Sequence, residues 1–147
     1  IAAYVPVGSR SGIVQTDCLT IIDDCYNANP TSTVSALASL ALLPGRHVCI
    51  LGDMKELGKN EKQLHFDTGA HAVKTGCALV VTCGPLAQEI AAGASASLGE
   101  AAVWFADKTS LISVLPKLLQ KGDAVLVKAS HSMAFEEIVE ALKGLSL

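Results

Sequence analysis

The sequence predicts an α/β domain, a three-layer sandwich around a mostly parallel sheet, with one antiparallel edge strand or hairpin at the N-terminus. Three observations carry this. Apolar, β-branched runs recur at residues 19–23, 47–51, 79–82 and 124–128, with a shorter one at 103–105. The runs are almost continuously hydrophobic instead of alternating, which marks strands covered on both faces, as parallel strands are. Segments carrying helix start and stop signals lie between them, so strand and helix alternate along the chain.

The hairpin comes first. Residues 12–15 lead through Thr16-Asp17 into the strand that starts at Leu19. Thr31 or Ser32 caps a helix that runs through Leu43 and stops at Pro44-Gly45. Asn60 caps the next, which ends near Thr75 before Gly76. Pro85 occupies a first-turn position and opens a helix to about Ala94. The small-residue stretch 91–99 reads as a helix end and a surface loop. Thr109 or Ser110 opens a helix to Gln120 with Pro116 inside it, a potential kink. Ser132 caps the last helix, whose Glu136, Glu137 and Lys143 are ordered to suit the helix dipole.

Composition narrows the function classes. The 147 residues fit one domain, and 50% hydrophobic against 17% charged residues excludes disorder. With 4% aromatics and a net charge of -3, the chain lacks the stacking surface and the basic excess of a nucleic-acid binder. No apolar run is long enough to span a bilayer, so no membrane partner is expected. The N-terminus has neither an initiator Met nor the regions of a signal peptide, and the chain reads as a piece of a longer protein. Five cysteines, odd in number and without a CxxC pair, read as buried, reduced thiols in a cytoplasmic protein.

Ligands of open α/β sheets bind outside the carboxyl ends of the strands, and the unusual polar residues fall there. They are Asp23-Asp24-Cys25-Tyr26-Asn27-Ala28-Asn29-Pro30, Gly52-Asp53-Met54-Lys55-Glu56-Leu57-Gly58, Cys83-Gly84-Pro85, and Lys128-Ala129-Ser130-His131-Ser132. Asp24 can accept two hydrogen bonds from a ribose diol, and Tyr26, Asn27 and Asn29 can line an adenine or ribose edge. The alternative for Asn29 is a turn or helix cap; Ser32 and Pro30 already offer those services. Gly52 lets the backbone approach a ligand, Gly58 suits a turn, and Asp53 can orient a cation or ligand, unless this is an ordinary loop with a solvated Lys55/Glu56 pair. Lys128 brings a point charge suited to a carboxylate or phosphate, with Ser130 as a further donor, unless it is a snorkelling lysine. Arg10, just after Gly8-Ser9, can fold back onto phosphates, unless it is simply a solvent-exposed arginine, the reading its position alone favours. His65 and His71 lie six apart and read as surface or core residues without a metal role. The chain has no GxxxxGK[ST] phosphate loop, no GxGxxG and no nucleophile–base pair that its spacing assembles.

Three strings taken together resemble one family. DDCYNANPTS, LGDMKELG with His65 and Gly69 downstream, and LVKASHSMAFEEIVEAL are similar to the C-terminal domain of the Mur ligases over about residues 6–145. YNANP with GDMxELG points to the branch that joins D-alanyl-D-alanine to UDP-MurNAc-tripeptide. The resemblance implies a three-domain, cytoplasmic, ATP-dependent amide ligase of peptidoglycan synthesis, and so of cell-wall biogenesis, cell shape and division. The family's N-terminal domain holds the UDP-sugar peptide. Its central domain holds the phosphate loop, Mg2+ and a modified lysine. Neither is in this chain. Residues 1–147 would be the Rossmann-like third domain, with 1–12 the lead-in from the central one; alone they would be inactive. The resemblance assigns Arg10 to the nucleotide ribose and phosphates, Asp24 to the ribose, and Tyr26, Asn27 and Asn29 to the nucleotide border. Asp53, Lys128, Ser130 and His131 fall to the D-alanyl-D-alanine loop. Two departures stand out: Gly8-Ser9-Arg10 where the family reads GR, and Ala129 and His131 where it has glycine and arginine. The second removes a permanent positive charge from the dipeptide loop.

Two rivals belong to other classes. Asp23, Asp24, Asp53 and Lys128 mimic the acidic set and lysine of a phosphoacceptor receiver domain with Asp53 as acceptor, although receivers carry the acceptor on the third strand and have no use for YNANP. A generic interaction domain without a ligand is the other.

Overall fold

The computed structural model describes residues 4–6 and 12–147. The strands are Tyr4–Pro6 (β1), Gly12–Gln15 (β2), Thr20–Asp24 (β3), His47–Gly52 (β4), Leu79–Cys83 (β5), Ala102–Phe105 (β6) and Ala124–Lys128 (β7). The helices are Pro30–Ala41 (α1), Glu61–Lys74 (α2), Ala87–Leu98 (α3), Lys108–Leu118 (α4) and Glu136–Lys143 (α5). One sheet takes the order β1-β2-β3-β7-β4-β5-β6. β3, β7, β4, β5 and β6 are parallel; β1–β2 and β2–β3 are antiparallel. The expected hairpin is present, turned by Thr16, whose Oγ1 accepts the N–H of Leu19 at 2.9 Å. Sequence reading gave one antiparallel strand there; β1 adds a second.

Strand periodicity divides the core in two. Ile21, Val48, Ile50, Val81, Val125 and Val127 face one way and pack with Leu111, Leu115, Ile138 and Leu142 of α4 and α5. Ile22, Cys49, Leu51, Val80 and Leu126 face the other way, against Leu37, Leu40, Ala72 and Ile90 of α1, α2 and α3. Both faces are covered, which is why the strands read as unbroken apolar runs. No helix among the described residues is long and apolar enough to cross a membrane.

The structure corrects several expectations. α1 is capped by Asn29, not by Thr31 or Ser32: Asn29 Oδ1 accepts Ser32 N–H at 2.8 Å, and Ser32 Oγ accepts Asn29 N–H at 3.1 Å. Pro30 then fills the first helical position, where its missing N–H costs nothing. α4 is capped by Asp107, which accepts Ser110 N–H at 2.7 Å, and it continues past Pro116 to Leu118. A 3-10 turn at His131–Met133 delays α5 to Glu136. The stretch 91–99 is mostly helix, not surface loop. Gly93 and Ala94 are buried where α3 crosses α2, and a Cβ on Gly93 would overlap Phe66 O, while one on Gly69 would overlap Ile90 O. The two helices therefore pack backbone to backbone.

Candidate functional site

The strand order sets β3, β7, β4 and β5 side by side, so the loops after all four emerge along one carboxyl edge. The connections run outward from β3 to β6 and then return to place β7 between β3 and β4, and the crevice at such a reversal is where open α/β sheets bind ligands. In the parallel register Asp24 lies beside Lys128, and Lys128 beside Leu51, two residues before Asp53. Asp24, Lys128 and Asp53 thus share one edge of the sheet.

Lys128 ends a wholly buried strand, and its side chain is 2% exposed. Its Nζ donates to Asp24 Oδ2 at 2.7 Å and to Asn27 O at 2.9 Å. A buried ammonium requires partners of this kind. Asp24 keeps 18% of its side chain exposed and can be reached from the rim. Between these residues the Cys25 thiol is buried, and burial, reinforced by the neighbouring Asp23 carboxylate, pushes its pKa far above the ordinary value. Cys25 is therefore an inert packing group.

Asp53 lies beneath the rim, 1% exposed. Its Oδ1 accepts the N–H groups of Leu86 at 3.0 Å and Ala87 at 2.8 Å, and its Oδ2 lies 3.5 Å from Lys55 Nζ. The carboxylate thereby satisfies two donors that the start of α3 would otherwise leave unpaired. Gly84, at φ +123, is required here, since a Cβ would collide with that carboxylate. Gly52 serves packing instead of ligand approach: a Cβ there would run into Phe135 and Ala129.

Ser130 clasps two loops. Its N–H donates to Asp53 O at 3.0 Å, and its Oγ accepts Lys55 N–H at 2.9 Å. His65, fully buried, completes the platform: Nε2 accepts Met54 N–H at 2.9 Å, so Nδ1 carries the proton and donates to Glu61 O at 2.6 Å. The backbone of residues 53–55 is thus held by three hydrogen bonds, two with Ser130 and one with His65.

Above this platform an open cleft of about 480 Å³ is lined by Asn27, Asn29, Lys55, Glu56, Ser130 and His131, among others. Tyr26 and His131 meet at its lip with ring centroids 5.2 Å apart. His131 is 68% exposed, with Nδ1 3.9 Å from Glu136 Oε2. Of the residues singled out from sequence, Asn27, Asn29, Ser130 and His131 line the cleft, Asp24 and Lys128 pair beside it, and Asp53 faces α3. Arg10 lies outside the described residues. Asn29 Oδ1, expected at the nucleotide border, is engaged as the α1 cap. Lys55 and Glu56, read from sequence as a solvated pair only in the alternative of an ordinary loop, are exposed and line the cleft. Nothing in the sequence signals that Glu56 takes the left-handed conformation, at φ +61, that turns it along the cleft wall.

These parts hold and orient polar groups: an accessible carboxylate, carboxamides, a hydroxyl and a half-exposed ammonium around an open cleft. They define an α/β domain with an open polar cleft at the carboxyl edge of its sheet. A family profile described as Mur ligase, glutamate ligase domain, matches residues 9–131, and the chain belongs to the Mur ligase family. It is 40% identical over 125 residues to the UDP-N-acetylmuramoyl-tripeptide--D-alanyl-D-alanine ligase of Escherichia coli, covering 84% of this chain and 26% of that enzyme. The enzyme of the same name from Bacillus subtilis is 37% identical over 139 residues, 92% of this chain and 30% of the relative. Among solved structures, a MurF ligase from Thermotoga maritima in complex with ADP superposes with a TM-score of 0.79 at 26% identity, covering 95% of this chain and 31% of that one. A MurF from Acinetobacter baumannii gives 0.83 at 26% identity, covering 95% and 31%. The chain therefore spans roughly a quarter to a third of the relatives it matches.

Proposed function

We propose that this chain is the C-terminal domain of the ATP-dependent ligase that joins D-alanyl-D-alanine to UDP-MurNAc-tripeptide in peptidoglycan synthesis. It closes over ATP and helps hold the incoming dipeptide, with residues 1–12 as its lead-in from a central domain. The observation that carries this reading is the placement of an accessible Asp24 beside an open polar cleft, in a chain whose relatives bear that ligase's name. The Thermotoga relative's complex with ADP supports nucleotide use.

The reaction has two steps. The terminal carboxylate of the UDP-MurNAc-tripeptide attacks the γ-phosphorus of ATP, giving an acyl phosphate and ADP. The amine of D-alanyl-D-alanine then attacks the acyl carbon, phosphate leaves, and the nitrogen loses a proton. Phosphoryl transfer is accelerated mainly by positioning and charge stabilisation. This domain supplies positioning and water exclusion on closure. Asp24 accepts the ribose hydroxyls, Tyr26, Asn27 and Asn29 border the nucleoside, and Arg10 reaches its phosphates. Ser130, His131 and Lys55 face the dipeptide, and Asp53 beneath them holds the loop in place.

The rim carboxylates do not fit a magnesium ion. Asp53 Oδ1 already accepts two amides, and Asp24 Oδ2 holds an ammonium. In this reading magnesium is held by the central domain. The free cysteines, four of them buried, support a cytoplasmic setting.

The test is ADP release by the full-length chain supplied with ATP and UDP-MurNAc-tripeptide. Release that rises with D-alanyl-D-alanine, with the amide product in the mass spectrum, is expected. Release indifferent to the dipeptide contradicts the reading.

A further inference from the structure

Sequence similarity groups Lys128 with the dipeptide loop. Its surroundings point elsewhere. The open cleft is lined by Ser130 and His131 but not by Lys128. Lys128 instead borders a narrow space too small for water, together with Ala28, Thr33, Leu51 and Met54. At 2% exposure its ammonium has no route to a ligand in the cleft, and two of its three N–H groups are committed, to Asp24 Oδ2 and Asn27 O.

Asp24 ends β3 and Asn27 lies in the loop that follows, the nucleotide side of the rim. The bond to Oδ2 holds the Asp24 carboxylate in one orientation and leaves Oδ1 as the oxygen a ribose hydroxyl would meet. The bond to Asn27 O fixes the turn that carries Asn27 towards the Asn29 cap. One buried cation therefore fixes the carboxylate and the loop beside it.

We propose that Lys128 is a positioning residue for the nucleotide, acting through Asp24 and the Asn27 turn, and that it makes no contact with the acceptor dipeptide. This inference rests on the ligase reading above. It differs from it in consequence: Lys128 governs the affinity for ATP, not for D-alanyl-D-alanine.

The experiment is a double-mutant cycle in the full-length ligase, using Lys128→Met, Asp24→Asn and the pair together, with KM measured separately for ATP and for D-alanyl-D-alanine. Losing hydrogen bonds between charged groups is expected to raise the KM for ATP about tenfold or more in each single variant, while the KM for the dipeptide stays within about twofold. The pair should fall well short of the product of the two single effects on ATP, since part of what Lys128 does passes through Asp24. The pair also leaves no lone buried charge, so it reports even where Lys128→Met alone fails to fold. A rise in the dipeptide KM on losing Lys128, or additive effects on ATP in the pair, overturns the inference. Absence of dipeptide-dependent turnover in the unsubstituted chain would instead overturn the ligase reading itself.

Discussion

Asp53 Oδ1 accepts the backbone N–H of Ala87 at 2.8 Å, which ties the loop after β4 to the first turn of α3. A residue that looks like a ligand contact in the sequence is thus a helix cap under the binding edge.

Asp53→Ala strips an acceptor from two N–H groups and is expected to lower unfolding stability by about 2 kcal/mol. Asp53→Asn keeps an oxygen for them and should lose less. Urea denaturation midpoints of the two variants check the order. The same burial is set against the receiver-domain reading: incubation with acetyl phosphate should leave the intact mass unchanged.

His65 joins Met54 N–H to Glu61 O and so holds the platform loop to α2. His65→Ala leaves both groups unpaired around a cavity, an expected loss of about 3 kcal/mol. His65→Gln retains an acceptor in reach of Met54 and should recover part of it. Equal losses in the two variants, read by thermal unfolding, would deny the latch role.

Gly69→Ala sets two effects against each other. Alanine raises helix propensity by about 1 kcal/mol. The new Cβ, however, overlaps Ile90 O, a backbone atom that cannot step aside without moving α3. Overpacking against backbone at a close crossing costs about 3 kcal/mol, so destabilisation wins. Calorimetry should show a lower Tm, and a raised Tm would mean the helices are not packed backbone to backbone.

What was legible in the sequence follows from these contacts. The strands and their order of appearance could be read because both faces of the sheet are covered, and residues 124–128 coincide with β7 at both ends. The rim could be read because polar residues follow four apolar runs, although Asp53, Asn29 and Gly52 serve capping and packing there. Caps were harder to place. Asn29, Thr31 and Ser32 are all competent, and only the reciprocal bonds of Asn29 and Ser32 decide between them. Gly52, Gly69 and Gly93 look alike as letters, and only the neighbour that fills the missing Cβ space separates packing from ligand approach. Lys128 could be seen to end a strand, but its pairing with Asp24, 104 residues away, is a product of the sheet order.

In the proposed ligase Asp24 holds the nucleoside at the carboxyl edge. This is tested most directly by titrating ATP into the full-length ligase and its Asp24→Ala variant by calorimetry, with circular dichroism to compare their folds. Loss of hydrogen bonds to a charged acceptor is expected to weaken ATP binding about tenfold or more with the fold retained. An unchanged ATP affinity in a folded Asp24→Ala variant would contradict the account.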